Sequence, residues 1–231
     1  MLLAALDGRD TAEIVERDDG FIDSAGGAAM YLAPFRRWPP VHRQAMRFVR
    51  GRTLDVGCGG GRVCLHLQER GQDVVGIDIS PGAVEVCRRR GARDVRLCPI
   101  EDVDESLDVF DTVVMLGNNF GLFGGAAKAK RLLRRFHRLT SDRGRIVAET
   151  RDVYRTDDPS HLTYHERNRS RRRMGGQIRI RVRYRDHATP WFDFLMVSQA
   201  ELGDLLEGTG WQLSRVLESE DTYVAIIDKV P

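Results

Sequence analysis

The residues best suited to chemistry lie in the segment TLDVGCGGGR, residues 53–62. Gly57, Gly59 and Gly61 follow a predicted strand and precede a predicted helix. Glycines in such a turn let the backbone bend tightly and approach a ligand closely. The N-terminus of the following helix favours a negatively charged group such as a carboxylate. The spacing therefore predicts a ligand-binding turn.

A carboxylate follows the turn at a spacing that suits a ribose. Asp78 ends the second predicted strand, 21 residues after Gly57, where it can accept hydrogen bonds from both ribose hydroxyls. Arg62 stands where the dinucleotide fingerprint G-x-G-x-x-G requires its last glycine. The sequence also lacks the G-x-x-x-x-G-K-[ST] loop that cradles phosphates. These departures argue against a dinucleotide and against a phosphate-binding loop.

Several motifs together resemble those of the class I S-adenosylmethionine-dependent methyltransferases. Asp55 precedes the glycines by two residues, and the acidic pair Glu101-Asp102 follows the third predicted strand. LDVGCGGG resembles the first motif of that family, VVGIDIS the acidic second motif, RLCPIEDVD the adenine-contacting turn and FDTVVMLGNNFGLF the fourth-strand motif. The resemblance covers about residues 50–150 strongly and residues 198–231 by pattern only.

The resemblance implies S-adenosyl-L-methionine as the cofactor and S-adenosyl-L-homocysteine as the product. It implies that Asp78 binds the ribose and that Ile79 lies against the adenine. The family often has aspartate where this chain has Pro99, so the adenine amino contact stays open; Glu101 either meets the adenine edge or belongs to a solvated acidic loop. The cofactor residues implied are Asp55, Gly57, Cys58, Gly59, Gly61, Asp78, Ile79, Ile100, Glu101 and Leu116.

Four residues that follow the fourth and fifth predicted strands are candidates for catalysis. Asn118 and Asn119 would bond the acceptor or the cofactor, or else form a glycine-flanked turn with asparagine in a left-handed conformation. Glu149 and Asp152, with Arg151 between them, would bind or deprotonate an acceptor, or else form ion pairs among themselves. The Asp/Asn-Pro-Pro-aromatic motif of many methyltransferases for DNA bases and protein amines is absent, which disfavours those acceptors.

The elements that would position these residues alternate between strand and helix over residues 52–150. Strands joined by helices predict right-handed crossovers and a parallel sheet covered on both faces. We therefore predict an α/β fold with a doubly wound, mostly parallel seven-stranded sheet and an antiparallel β insert before the last helix. The predicted segments are an N-terminal lid, or a helix with a loop (1–38), a cofactor-binding core (39–150), the insert (151–197) and a C-terminal helix with an antiparallel strand pair (198–231).

The predicted insert shows no helix pattern and is strongly cationic. In QIRIRVRYR, residues 177–185, arginines alternate strictly with apolar residues, which predicts a strand with an arginine face. That face would bind RNA phosphates, line an acidic-substrate site, form a dimer surface or simply be solvated. The apolar side, with Trp191, Phe192 and Phe194 nearby, would cover the cleft.

We favour a small-molecule acceptor, such as a natural product or an acidic compound, methylated on O, N or C. An RNA methyltransferase and a non-catalytic cofactor-binding scaffold are the alternatives. Against RNA, Lys and Arg total 36 and Asp and Glu 34 in 231 residues, so acidic residues elsewhere balance the insert. No recognisable RNA-binding module is appended.

The remaining composition limits location and metal content. No apolar stretch approaches the ~18 residues that a membrane span needs, and the first residues lack the cationic start of a signal peptide, so we expect neither. The four cysteines lack C-x-x-C spacing, so we expect a cytoplasmic protein with reduced thiols. His161 and His165 have the spacing of metal ligands on a helix, but we predict an extended or irregular segment and find no third ligand, so no metal is expected.

Overall fold

The computed structural model describes residues 1–9, 11–220 and 222–230 and contains two β-sheets. In chain order, the strands are β1 (Ala12–Arg17), β2 (Ile22–Gly27), β3 (Thr53–Val56), β4 (Val74–Asp78), β5 (Val95–Leu97), β6 (Phe110–Met115), β7 (Thr140–Thr150), β8 (Gln177–Tyr184), β9 (His187–Ala188), β10 (Phe192–Leu195), β11 (Trp211–Glu218) and β12 (Tyr223–Lys229). The α-helices are α1 (Leu2–Leu6), α2 (Ala29–Leu32), α3 (Pro40–Ala45), α4 (Arg62–Glu69), α5 (Pro81–Arg89), α6 (Ala126–Arg138), α7 (Pro159–Ser170) and α8 (Gln199–Leu206).

The larger sheet has seven strands in the order β11-β12-β7-β6-β3-β4-β5. Strands β3 to β7 pair in parallel, whereas β12 runs antiparallel to both β7 and β11. The predicted mostly parallel seven-stranded sheet is confirmed. Because its central strands are buried on both faces, they consist of almost continuous apolar residues.

Local signals at the helix ends place the loops that follow the strands. Ser80 accepts a hydrogen bond from the Ala83 amide at 3.3 Å, and Pro81 occupies the first position of α5. The capping box predicted at Ser198 and Glu201 begins α8. The start of each helix determines where the preceding loop, which follows a strand, must stop.

The smaller sheet joins the N-terminal segment to the predicted insert. Its order is β10-β8-β1-β2, and β9 pairs with β8. The lid, or helix with a loop, predicted for residues 1–38 therefore omitted two strands. Ile14 is 40% exposed, so β1 lacks a clean apolar alternation. Pairing with β8, far away in the chain, is what makes this segment a strand.

Helix α7 contradicts the prediction that residues 151–197 contain no helix. Asp158 accepts a hydrogen bond from the Ser160 amide at 2.8 Å, and Pro159 occupies the first helical position. The buried residues of α7 are Tyr164, His165 and Asn168 rather than aliphatic residues. A helix without an apolar stripe gives no periodic signal, although its Asp-Pro start was visible.

The strict alternation predicted for β8 is present. Val182 and Tyr184 face a large cleft between the two sheets, and Arg181 and Arg183 lie on the opposite face, where both pair with Glu16 of β1.

The aromatic residues after β8 do not all cover the cleft. Phe192 lines it, whereas Phe194 packs on Gly121. The prediction for Trp191 is wrong, because its ring lies against the Arg181 guanidinium, 4.7 Å from the centroid. The long side chain of an outward-facing arginine can cover an aromatic ring on the same face of the sheet, and the alternation in the sequence does not reveal such a contact.

In the part of the chain that the structure describes, no helix has the length and apolar character needed to cross a membrane. The cysteines at positions 58, 64, 87 and 98 are free thiols.

Candidate functional site

The cleft lies at the carboxyl ends of β3, β4 and β6 and has a volume of about 1430 Å³. One wall is the glycine turn after β3, and the other is the smaller sheet. Strand carboxyl ends of an open α/β sheet are the usual place for a ligand. This volume is larger than the ~300–1,000 Å³ typical of a pocket for one small-molecule ligand.

The glycine turn has three residues with positive φ, 70° at Gly57, 54° at Gly59 and 77° at Gly61. A Cβ at Gly57 would lie 2.7 Å from Asn119 Nδ2, and one at Gly61 would lie 2.9 Å from Cys87 Sγ. Gly59 differs, because nothing would lie closer than 3.9 Å to its Cβ. Gly59 therefore opens onto the cleft, whereas Gly61 packs against α5 and does not line it.

Asp78 lies beside the turn with its carboxylate held by two backbone amides. Gly59 N donates to one oxygen and Ser80 N to the other, both at 2.8 Å. Burial raises the pKa of Asp78, against these two hydrogen bonds and one from Ile79. The two carboxylate oxygens together accept about four hydrogen bonds, so these three leave room for a donor from a ligand.

Apolar and acidic residues extend the site beyond Asp78. Ile79 is 72% exposed at the edge of the cleft. Ile100 is buried and Glu101 is half-exposed, and both line the cleft after β5. Glu101 forms an ion pair with Lys128 of α6. Partial burial would raise the pKa of Glu101, but Lys128 and a backbone hydrogen bond outweigh it, so the pKa is lowered.

A buried carboxylate lies beneath the turn. Asp55 accepts a hydrogen bond from Cys64 Sγ at 3.3 Å, and burial raises its pKa to about 7. Leu116 and Cys58 are also buried and line the cleft.

Arg62, the first residue of α4, is a buried cation that the sequence analysis did not identify as a ligand-binding residue. It is 8% exposed, and its Nη2 donates to His42 Nδ1 at 3.1 Å. Its buried Nη1 has no hydrogen-bond partner among the residues that the structure describes, although Arg62 lines the cleft. A buried guanidinium nitrogen without a partner is costly, so this atom points to an anionic ligand.

Of the four candidate catalytic residues, only Asn119 lines the cleft. Its Nδ2 donates to the carbonyl oxygens of Val56 and Gly57, both at 2.9 Å, and so joins the loop after β6 to the glycine turn. Asn118 has a left-handed φ of 63°, as the turn alternative predicts. Asn118 lies outside the cleft lining.

Glu149 and Asp152 also lie outside the cleft lining. Glu149 is buried and accepts hydrogen bonds from the amides of Gly117 and Asn118 at 2.5 and 3.0 Å. Asp152 accepts from the amide of Tyr154 at 3.0 Å. Both residues follow a strand, which is why they were predicted to bind or deprotonate an acceptor. In the structure their carboxylates accept hydrogen bonds from backbone amides instead, and so hold loops in place.

The wall formed by the smaller sheet contributes residues that the sequence analysis missed. Glu13 of β1 is 7% exposed and accepts a hydrogen bond from Tyr31 Oη at 3.0 Å, and both residues line the cleft. Val182, Tyr184 and Phe192 line the same wall. Only the pairing of β1 with β8 brings Glu13 here, so no local signal in the sequence would have found it.

The two histidines with metal-ligand spacing lie on α7 and have other environments. His161 Nδ1 is 3.3 Å from Thr156 Oγ1, and His165 is buried with its ring edge-on to Tyr154. Among the described residues, no group of three or more His, Cys, Asp or Glu side chains is arranged to hold a metal ion.

Comparison with known proteins points to one family. Residues 53–144 match the family model described as a methyltransferase domain. A 77-residue segment is 35% identical to the ubiquinone biosynthesis O-methyltransferase of Mesorhizobium japonicum, covering 31% of each chain. A 69-residue segment is 36% identical to the magnesium-protoporphyrin O-methyltransferase of Rhodobacter capsulatus, covering 28% of this chain and 31% of that one. The matched segments thus span less than a third of the length of these relatives.

A solved structure resembles the whole chain. It is a SAM-dependent methyltransferase from Bacteroides fragilis in complex with S-adenosyl-L-homocysteine. Its sequence is 25% identical, the alignment covers all of this chain and 92% of that one, and the TM-score is 0.83. The likeness extends over the smaller sheet as well as the larger one.

Proposed function

Because the chain belongs to the class I S-adenosylmethionine-dependent methyltransferase family, we propose that it binds S-adenosylmethionine in the cleft and methylates an oxygen nucleophile of a small molecule. The site residues assigned below are part of this proposal. So are the acceptor class and the activity of the whole chain.

The observation that carries the proposal is the pairing of Gly59 with Asp78. The Gly59 amide fixes one carboxylate oxygen at 2.8 Å while the missing side chain of Gly59 leaves the cleft open beside it. The ribose can then donate to Asp78, and the amino-acid part of the cofactor can lie along the turn. Ile79 offers the adenine an exposed apolar surface.

Arg62 supplies the charge that the amino-acid part needs. Arg62 lines the cleft, its buried Nη1 has no partner among the described residues, and the carboxylate of the cofactor's methionine part is the anion we assign to this guanidinium. His42 holds the other nitrogen of the guanidinium, Nη2, at 3.1 Å. Since arginine only donates, His42 Nδ1 accepts, and His42 Nε2 lies 2.9 Å from Glu149 Oε1.

The cofactor supplies an electrophilic methyl group on a sulfonium. The protein's residues bind and orient it, hold the acceptor in line with the methyl carbon and exclude water from the cleft. Proximity and orientation of this kind account for most of the rate enhancement such a displacement needs. Asn119 contributes by fixing the turn at Val56 and Gly57.

Two observations support an oxygen nucleophile on a small molecule. The curated relatives that match the core are named O-methyltransferases. Arg181 and Arg183, which would be central to an RNA-binding face, are paired with Glu16 on the side of the smaller sheet away from the cleft. Their charge is therefore partly neutralised and does not point at the methyl position.

Calorimetry with S-adenosyl-L-homocysteine, followed by transfer of a labelled methyl group to a panel of hydroxylated small molecules, tests the proposal. We expect binding that Asp78→Ala weakens, and transfer that depends on the acceptor. No binding at millimolar ligand would refute the cofactor assignment. Binding with no transfer to any acceptor class would favour the non-catalytic scaffold.

A further inference from the structure

We propose that Glu13 accepts the proton of the methyl acceptor, which presents a hydroxyl group on a planar, largely apolar molecule. This inference rests on the proposed function, because it requires a methyl donor at the glycine turn. It assigns Glu13 as a catalytic residue and Tyr31 as its positioning residue.

Glu13 lines the cleft together with Val182 of β8. Its neighbour Ile14 begins the pairing of β1 with β8, and the β1–β2 register shifts between Ala12 and Ile14, at Glu13 itself. A local irregularity of this kind can re-aim a side chain, so the orientation of Glu13 does not follow from simple strand alternation. Glu16 points the other way, toward Arg181 and Arg183. Of the two glutamates in β1, only Glu13 faces the site.

Tyr31 connects this carboxylate to the glycine turn. Tyr31 Oη donates to Glu13 Oε1 at 3.0 Å, and Tyr31 Cδ1 lies 3.9 Å from the position of a Cβ at Gly59. The tyrosine ring thus lies over the part of the turn assigned to the amino-acid end of the cofactor. Glu13 accepts from the hydroxyl at the other end of that ring and lines the cleft, and the proposal places the acceptor beside it.

The environment of Glu13 suits a base. Burial raises its pKa, against the hydrogen bond from Tyr31 and the charge of the Met1 amino group. A carboxylate with a raised pKa takes up a proton more readily. Burial and the neighbouring Glu13 also raise the pKa of Tyr31, so its hydroxyl stays a donor. A carboxylate has about four lone pairs, so accepting from Tyr31 leaves room for a hydroxyl donor.

The wall around Glu13 identifies the rest of the acceptor. The cleft that Glu13 lines also has apolar and aromatic side chains in its lining, among them Leu122, Val182, Tyr184, Pro190 and Phe192. In the proposed step, the acceptor oxygen bonds to the methyl carbon and the carbon–sulfur bond breaks with its electron pair going to sulfur. The hydroxyl proton passes to a Glu13 carboxylate oxygen and later leaves to water. Charge and atoms balance without a further reactant.

Sinefungin tests this placement without a known acceptor. It carries an amine-bearing carbon in place of the methylated sulfonium, so its ammonium group lies where the methyl group would be. A carboxylate that faces that point across the acceptor space should attract the ammonium group and make sinefungin bind about tenfold more tightly than S-adenosyl-L-homocysteine. We expect Glu13→Gln to abolish this preference while the affinity for S-adenosyl-L-homocysteine changes less than about threefold. The control Glu16→Gln, on the same strand but the opposite face, should keep the preference.

The positioning role of Tyr31 has its own measurement. Tyr31→Phe keeps the carboxylate but removes the hydroxyl, so the sinefungin preference should fall only partly. Without that donor the pKa of Glu13 rises, so as the pH is lowered the preference should disappear at a higher pH than in the wild type. A tyrosine with a merely structural role would leave the pH dependence of the preference unchanged. Tyr31→Phe also replaces Glu13→Gln as the main test if the latter does not fold.

Three outcomes would overturn the inference. The wild-type protein could bind both ligands equally. Glu13→Gln could weaken both ligands equally, which would mean that Glu13 binds the cofactor's own ammonium group. Glu16→Gln could abolish the preference as strongly as Glu13→Gln. Failure of the wild-type protein to bind S-adenosyl-L-homocysteine at all would instead refute the proposed function, so the two failures are distinguishable.

Discussion

His42 Nε2 lies 2.9 Å from Glu149 Oε1, and both side chains are almost fully buried. Glu149 also accepts from the amides of Gly117 and Asn118 and from Thr222 Oγ1 at 3.0 Å. One carboxylate therefore joins α3, the loop after β6 and the start of β12. Through His42, the same network reaches Arg62 at the wall of the cleft.

Replacing Glu149 should destabilise the fold and remove part of its acid sensitivity. Burial would raise the pKa of Glu149, but the hydrogen bonds from His42, Asn118 and Gly117 outweigh it and lower the pKa to about 2. A folded pKa below the unfolded value stabilises the protein above the unfolded pKa, and this stabilisation is lost as the pH falls toward 2. We expect Glu149→Gln to lower the free energy of unfolding by about 3 kcal/mol at pH 7.

Denaturant unfolding at pH 7 and near pH 2 measures this difference. The gap between wild type and Glu149→Gln should shrink at the lower pH, where the wild-type carboxylate becomes protonated. Glu207→Gln, at an exposed position, should match the wild type at both. An equal gap at both pH values would mean that the charge of Glu149 contributes no stability.

Replacing Asp78 should weaken cofactor binding. Asp78→Ala removes the acceptor for the ribose hydroxyls and frees the Gly59 amide. We expect the affinity for S-adenosyl-L-homocysteine to fall by about 1–3 kcal/mol, the range for hydrogen bonds to a charged group. Calorimetry with Asp142→Ala, an exposed aspartate, gives the comparison. Unchanged affinity in Asp78→Ala would refute the ribose assignment.

A side chain at Gly59 should block the site and leave the fold intact. Gly59→Val projects into the open cleft, so we expect no measurable binding of S-adenosyl-L-homocysteine. Gly71→Val is the matched control, because Gly71 also has positive φ and open space around its Cβ position. Both should lose about 1–3 kcal/mol of stability from backbone strain. Normal binding by a folded Gly59→Val variant would remove the assignment of this turn.

Replacing Arg62 should act only on ligands that carry the amino-acid group. We expect Arg62→Met to weaken S-adenosyl-L-homocysteine by about tenfold or more and to leave 5′-methylthioadenosine, which lacks that group, within about twofold. Arg70→Met, at the exposed end of the same helix region, should change neither. Equal weakening of both ligands would show that Arg62 supports the turn rather than a carboxylate.

The sequence by itself determined the cofactor half of the site. TLDVGCGGGR, Asp78 and the third-strand turn are each local: a strand end, a glycine turn and a helix start lie within a few residues of one another. The parallel sheet can be predicted from the alternation of apolar strands with helices, which is visible in the sequence. Gly57, Gly59 and Asp78 accordingly lie where their spacing predicted.

Only the tertiary structure decided which residues form the wall proposed for the acceptor, because its contacts join residues that are far apart in the chain. Glu13 faces the cleft only because β1 pairs with β8, and Glu149 is held away from it by His42 and two distant amides. Helix α7 buries polar side chains and so leaves no periodic pattern. Where burial and hydrogen bonding depend on partners from another segment, neither residue type nor spacing indicates which of several carboxylates meets the ligand.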